Sequence, residues 1–306
     1  MQWDELENVA IRHVPGRGEL DIHRLSAGLM NETYQVLRGG SAYVLRVATR
    51  NQTLGLDHAW EARVLERAVL AGLAPVLEYC DPRRGILISR WIDGRSWSAA
   101  DVRRPANVSR MAVLMRRIHA LPLPPQARSM SPGMWIDQYA AALPGIPAVL
   151  RAVADTRLVA LAALPATGRV LCHSDLHTLN LIDRGEGLMV LDWEYAHCAD
   201  PLWDLAGWSA NNDMEDELTQ DLLRAYLGRA PGPDEQARLR LLVWLYDYVC
   251  LLWSELYLNL PLARGNPSAA AGPPGAAADA SLLDGVLARS RRLAARLEPA
   301  HPAASK

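Results

Sequence analysis

Phenylalanine is absent from this 306-residue chain, and lysine occurs once, as the final residue Lys306. The aromatic load of any core therefore falls on 10 Trp and 9 Tyr. A catalytic lysine is excluded everywhere except at that last position, and arginine is otherwise the basic side chain throughout. Cysteine is scarce as well: Cys80, Cys172, Cys198 and Cys250 are widely spaced, with no CxxC pair. Such residues read as small buried hydrophobes in a reducing compartment. Net charge is nearly lacking, at -2, so no field draws nucleic acid or an acidic membrane. The start, Met1 to Glu5, is acidic and has no apolar h-region. No uncharged apolar run reaches bilayer length; the best stretch, 241–253, is interrupted by Asp247. A soluble, cytoplasmic protein with no nucleic-acid or membrane partner is expected. Two phosphate-binding fingerprints are also missing, G-x-x-x-x-G-K-[ST] and G-x-G-x-x-G, which excludes P-loop and dinucleotide-binding folds.

What is present divides by pattern. Residues 21–25, 33–38, 42–48, 75–80 and 85–91 are β-rich, with a helix expected over 58–71 between Asp57 and Gly72. A hinge is placed near 91–94. Helical patterns then dominate, over 107–120, 133–142, 145–163, 201–210, 214–228 and 234–260. Between them a strand pair, 169–172 and 188–192, brackets a polar loop. Residues 262–280, rich in Ala, Gly and Pro, read as a flexible linker and 281–297 as an Arg-rich terminal helix. The fold class is α+β: a small β-rich lobe over 1–93, then a larger helical lobe over 94–306.

The chemistry is concentrated in His173-Ser174-Asp175-Leu176-His177-Thr178-Leu179-Asn180 and, past a Gly-rich turn, Asp192-Trp193-Glu194. The first run meets the kinase catalytic-loop pattern H-R-D-L-x-x-x-N at every specified position but the Arg. Phosphoryl transfer needs Mg²⁺ held against the nucleotide phosphates and a carboxylate to aim the acceptor hydroxyl. Asn180 and Asp192 offer hard oxygen donors suited to Mg²⁺, and Asp175 a base. Two readings of another class stay open. One is a zinc hydrolase using His173, Asp175 and His177 with Asp192 or His197. The other is an inactive binding domain.

The same segment resembles the choline kinase and aminoglycoside phosphotransferase group of protein-kinase-like small-molecule kinases, which includes thiamine kinases. Their loop reads His-Gly-Asp-x-His-x-x-Asn, followed by Asp-Trp-Glu. The resemblance spans roughly residues 20–260, with specific motifs in 170–205. It implies a two-lobed kinase-like fold and Mg-ATP as cofactor. It also implies Asp175 as catalytic base, Asn180 and Asp192 as metal ligands, and Asp204 as a brace beneath the loop. His173 and His177 become structural supports, and Ser174 stands where the group carries Gly.

For the nucleotide, the hairpin tip with Gly28, Asn31 and Thr33 is similar to the phosphate-binding loop of that group. Arg46 is the one charge in an apolar strand and can bind phosphate while pairing with Glu61, although Glu66 shares that helix. A solvent-facing Arg46 on an edge strand is the plainer alternative. Adenine is expected against the backbone of Arg90, Trp91 and Ile92. For the acceptor, helical spacing over 234–260 groups Trp244, Asp247 and Glu255 on one face and places Trp253 on another. Aromatic faces beside carboxylates attract a quaternary or primary ammonium group, and Trp253 resembles the Trp that encloses choline in choline kinases. Glu194 is assigned to the same acceptor side. The acceptor expected from this pocket is a small cationic alcohol, choline- or ethanolamine-like; a helix apolar on all sides that is simply buried, with Trp and Tyr filling the core, is the plainer alternative. Thiamine, or an aminoglycoside held by Asp213, Glu215, Asp216 and Glu217, stays open.

Overall fold

The computed structural model describes residues 2–27, 31–48, 56–259 and 276–297, apart from the side chains of 26–27 and 276–282. Gly28 of the hairpin tip and residues 262–275 of the expected linker lie outside the described residues. The chain forms two compact units. One comprises Met1–Ser129 with Gly168–Ala230, the other Met130–Thr167 with Pro231–Lys306.

The first unit opens with a helix that the strand-rich reading of residues 1–93 missed, α1 (Trp3–His13). Asp4 and Glu5 in its first turn and Arg12 and His13 in its last suit the helix dipole, and Leu6, Val9 and Ala10 recur at helical spacing. These three pack with Tyr34, Val36, Tyr43, Leu45, Val47, Ile86 and Ile88 into one apolar cluster. They cover one face of a five-stranded antiparallel sheet. Its strands are β1 (Leu20–Ala27), β2 (Asn31–Arg38), β3 (Ser41–Ala48), β4 (Leu77–Asp81) and β5 (Ile86–Arg90), in the order β1-β2-β3-β5-β4. Strand alternation buries Tyr43, Leu45 and Val47 against α1 and turns Arg46 to the opposite face. There it meets α2 (His58–Leu70), whose N-cap Asp57 accepts from Trp60 N–H at 3.0 Å.

The helical part of this unit holds α3 (Ala99–Val102), α4 (Pro105–His119), α7 (Leu202–Asn211) and α8 (Asp216–Leu227). Glu215 precedes α8 as its N-cap, with Asp216 and Glu217 in the first turn, where acidic groups suit the dipole. Four short strands lie among these helices: β6 (Val170–Cys172), β7 (Leu181–Asp183), β8 (Leu188–Val190) and β9 (His197–Ala199). The expected pairing of 169–172 with 188–192 is not formed. β6 pairs with β9, and β8 pairs with β7 across a tight turn at Gly185, whose φ is 83°. The turn brings β7 and β8 together locally and leaves β6 free for the three-residue β9.

The second unit is helical: α5 (Pro132–Ala142), α6 (Ala148–Ala163) and α10 (Ala276–Leu297) pack on the long α9 (Pro233–Asn259). α10 begins inside the segment expected to be linker, because 276–278 is an alanine run with the highest helix propensity. By length and composition α9 alone among the described helices is apolar enough to cross a membrane, yet 61% of its most apolar window is buried within the chain.

Candidate active site

The loop after β6 is held from below by one carboxylate. Asp204, 1% exposed on α7, accepts from His173 N–H at 2.9 Å and Ser174 N–H at 2.7 Å. It also pairs with His119 Nε2 at 3.0 Å, and His119 Nδ1 reaches Tyr226 Oη at 2.8 Å. Burial works to raise the Asp204 pKa, but the bond and charge of His119 and the Ser174 N–H outweigh it, so the net shift is downward. His119 sits at the last turn of α4, 85 residues from Asp204, and no local motif signals it.

The loop backbone is unusual at two places. Ser174 has φ 69° and Asp192 φ 60°, both in the left-handed region that glycine enters freely. Asp tolerates it well, whereas Ser does so at a cost of about 1–2 kcal/mol, the handedness penalty of an L-residue. At Ser174 the two Asp204 bonds secure the turn.

His173 is fully buried. Its Nδ1 accepts from Asp175 N–H at 3.2 Å and its Nε2 contacts Leu191 O at 2.9 Å, so the proton resides on Nε2. Burial pulls its pKa down against the charges of Asp204 and Asp175, in keeping with a neutral ring. The amide of Asn180 donates to Asp175 O at 3.0 Å and to Asp175 Oδ2 at 3.1 Å. His177 Nδ1 accepts from Leu179 N–H at 3.2 Å, and its Nε2 stands 3.6 Å from Asp175 Oδ2. Asp175 is thus approached from two sides by side chains within five residues of it.

Opposite lies a cluster of acids on one guanidinium. Arg46 Nη2 donates to Glu61 Oε1 at 2.5 Å, Nη1 donates to Asp192 Oδ1 at 2.5 Å, and Glu194 Oε2 is 4.0 Å away. Arg46 is 12% exposed on a strand paired on both sides, so it is not a solvent-facing edge residue. Glu61, not Glu66, is its helix partner, and His58 completes the pair by donating Nδ1–H to Glu61 Oε2 at 3.0 Å. The His58–Glu61 spacing of i, i+3 on α2 was readable in the sequence. Asn31 Nδ2 donates to Glu194 Oε2 at 3.0 Å, which joins a residue expected on the nucleotide side to one expected on the acceptor side. Thr33 stands opposite Arg46 in the β2–β3 register.

Burial, first, and then the charges of Glu61 and Asp175 push the Asp192 pKa up to about 6, against the pull of Arg46. The side chain keeps 29% exposure, so solvent moderates the effect. Glu194, more deeply buried, is held well above the usual carboxylate range by burial and by Asp192. Glu61 is driven the other way: burial raises it, but Arg46 and His58 bring it below its ordinary value. The cluster therefore carries more carboxylate than Arg46 neutralises.

At the expected hinge, Arg90 Nε donates to Glu78 at 2.5 Å and Trp91 N–H donates to Ala42 O at 3.0 Å. Ile92 follows, half-buried. At Gly94 a Cβ would come within 2.5 Å of Ile182 Cγ2 and 2.7 Å of Asp183 O, so only glycine lets the segment approach β7. There Arg95 and Asp183 exchange both backbone hydrogen bonds, at 3.1 and 2.8 Å.

The remaining residues expected on the acceptor side, Trp244, Asp247, Trp253 and Glu255, lie on α9 in the second unit. Trp244 stacks on Tyr248 with centroids 5.5 Å apart and carries the Arg157 guanidinium over its ring at 4.6 Å. Trp253 stacks on Tyr257 at 5.3 Å. Both carboxylates are engaged by α10: Asp247 accepts from Arg296 and Glu255 from Ser290. Spacing along one helix could not reveal those partners.

The zinc set drawn from the sequence is not gathered. Among the described residues, the His, Cys and carboxylate atoms that come together within 4.8 Å belong to His119, Cys172 and Asp204.

A five-stranded sheet with one buried Arg–Glu pair to a flanking helix, followed by a mainly helical region that carries the His-x-Asp-x-x-x-x-Asn loop, defines a protein-kinase-like fold. A profile of the phosphotransferase enzyme family APH matches residues 21–242, and the chain belongs to that family. Among solved structures it is similar to a choline/ethanolamine kinase family protein from Mesorhizobium loti, at 26% identity and TM-score 0.71, over 97% of this chain and 95% of that one. It is also similar to choline kinase LicA from Streptococcus pneumoniae, at 18% identity and TM-score 0.74, over 96% and 98%. A third is macrolide 2'-phosphotransferase MphH from Brachybacterium faecium, at 22% identity and TM-score 0.61, over 97% of each chain. A search of curated proteins found no match.

Proposed function

We propose that this chain is a cytoplasmic, ATP-dependent kinase that transfers the γ-phosphate to a hydroxyl of a small cationic molecule resembling choline or ethanolamine. The observation that carries the reading is the fixed pair of Asp175, held by Asn180, and the excess-acid cluster of Asp192 and Glu194 on Arg46. Asp175 is the base that aims the acceptor hydroxyl and takes up its proton. Residues 1–93 form the nucleotide lobe, with Arg46 on the phosphates and the Arg90–Ile92 backbone beside adenine.

The donor set fits Mg²⁺. Asp192 and Glu194 are crowded carboxylates whose raised pKa values a divalent cation would relieve, and the Asn180 amide nitrogen is already committed to Asp175, which leaves its carbonyl oxygen as a ligand. Asn180 and Asp192 would hold the metal, with Glu194 close by; bound there, Mg²⁺ supplies charge neutralisation of the phosphates. Asn31, through its bond to Glu194, ties the hairpin to the same cluster. His173, His177 and Asp204 keep the loop in place. On α9, Trp253 would offer an aromatic face to the acceptor's cation, whereas Trp244 already carries Arg157, and Asp247 and Glu255 are engaged by Arg296 and Ser290.

The test is ADP release from Mg-ATP with choline, ethanolamine, thiamine, kanamycin and a sugar alcohol. Release that depends on choline or ethanolamine supports the reading. Dependence on thiamine or kanamycin moves the acceptor to that class, and failure of Mg-ATP to bind at all removes the kinase assignment.

A further inference from the structure

Three side chains with metal-binding atoms converge beneath the catalytic-type loop from three separate elements. The His119 ring at the end of α4, the Cys172 thiol at the end of β6 and the Asp204 carboxylate on α7 each bring one atom within 4.8 Å of the other two. All three side chains are buried. His119 Nε2 lies 3.0 Å from Asp204 Oδ2 and 4.0 Å from Cys172 Sγ.

These separations are close to the edges of a zinc tetrahedron. Bonds of about 2.0 Å to N and O and about 2.3 Å to S put N and O about 3.3 Å apart and N and S about 3.5 Å apart. Shifts of about half an ångström or less close the differences, so the ion sits among the ligand atoms and needs no cavity. The Asp200 carbonyl oxygen stands 3.4 Å from Sγ, the edge expected of a fourth donor.

Charge and orientation suit a dication. One thiolate and one carboxylate cancel its charge, as burial requires. Thiolate and imidazole also favour zinc over magnesium. Asp204 keeps both loop bonds: Ser174 N–H goes to Oδ1, and His173 N–H takes one lone pair of Oδ2, leaving the other for the ion. Across the ring, Tyr226 Oη is 2.8 Å from His119 Nδ1. A hydroxyl donates or accepts, so it serves that nitrogen in any protonation state and orients the ring for metal on Nε2.

We propose that His119, Cys172 and Asp204 form a Zn²⁺ site that clamps α4, β6 and α7 together under the loop. Its ligands are separate from the Asn180 and Asp192 pair proposed for Mg²⁺. On filling, the ion enters, the Cys172 thiol proton leaves to buffer, and the proton between His119 and Asp204 moves to Nδ1 or to solvent. Burial holds the Cys172 thiol well above its ordinary range, so a rise in pH favours filling.

Co²⁺ is the probe, since it takes zinc positions and reports a bound thiolate by a charge-transfer band in the near ultraviolet. The full chain, stripped by chelator and kept reduced with a phosphine, is titrated at mildly alkaline pH. The titration is repeated during refolding from urea, so that slow entry is not read as absence of binding. One Co²⁺ per chain is expected, with the thiolate band bleached by Zn²⁺. Cys172→Ser keeps the shape and should abolish the band, whereas Cys80→Ser, Cys198→Ser and Cys250→Ser should each retain it. His119→Gln removes the ring nitrogen but keeps a donor for Asp204, and should weaken Co²⁺ binding by about 100-fold or more. Tyr226→Phe should weaken it about tenfold, the lower end for a group that orients a ligand. Thermal melts by circular dichroism confirm that each variant folds. A folded wild type without the band, or a band that survives Cys172→Ser, overturns the proposal. Neither nucleotide nor acceptor enters the assay, so its outcome is independent of the kinase reading.

Discussion

Arg46 and Asp192, 146 residues apart in the chain, meet at 2.5 Å through Nη1 and Oδ1. The contact joins the sheet to the segment after the catalytic-type loop, and through Glu61 it extends to α2. Removing the guanidinium leaves Glu61, Asp192 and Glu194 without their cation. Arg46→Met should therefore destabilise the fold by about 3–5 kcal/mol at neutral pH, the usual result of breaking a buried pair. Urea denaturation measures it; a loss below about 1 kcal/mol would show that the acids do not need Arg46.

Asp175→Asn keeps the shape and removes the proposed base. Turnover should fall by about 100- to 10,000-fold, the span of general-base contributions, while Mg-ATP affinity stays within about twofold. Steady-state kinetics with an equilibrium nucleotide titration separate the two. Near-normal turnover removes Asp175 from the chemistry.

Asp204→Ala strips the His173 and Ser174 N–H groups and His119 of their shared acceptor. Each buried donor left unmatched costs about 1–3 kcal/mol, so a loss of about 3 kcal/mol or more is expected. The specific sign is faster hydrogen exchange at the His173 and Ser174 amides. Unchanged protection there would mean that the loop is held by something else.

At Ser174, φ 69° favours glycine. Ser174→Gly relieves the left-handed strain but adds entropy to the unfolded chain, so a net gain of about 0.5 kcal/mol is expected. Ser174→Ala, with the same Cβ, should give no such gain. Equal stability of the two variants would contradict the strain argument.

His197 gives a pH dependence. Burial, opposed by the bond to Tyr195 O, pulls its pKa down from 6.5 to about 4. Between those values the unfolded chain binds the proton and the folded one does not, so stability is full above about 6.5 and declines as pH falls toward 4. The loss is at most about 3.4 kcal/mol by the 1.36 kcal/mol per unit conversion. His197→Asn should flatten the curve of stability against pH in that window, and a slope equal to wild type would be evidence against a neutral buried His197.

Much of the molecule was legible in the sequence where the signal is local. β3 was marked by its apolar run with a single Arg, α2 by Asp57 and Gly72, and the loop by fixed spacing from His173 to Asn180. The choice of Glu61 over Glu66 was not, since both lie on α2 and only packing shows which faces β3. The pairing of β6 with β9 escaped because three residues carry no periodicity. α1 was overlooked behind its charged start, although Leu6, Val9 and Ala10 spell a helical face.

By itself, then, the sequence determined the residue types, their order and the spacing of the loop, because a turn of backbone fixes which neighbours within a few positions can meet. Only tertiary structure decided that His119 supports Asp204, that Asn31 binds Glu194, and that α10 supplies partners to Asp247 and Glu255. Those contacts join positions 35 to 163 residues apart, and they form where buried polar groups must find partners once the apolar faces have brought distant segments together.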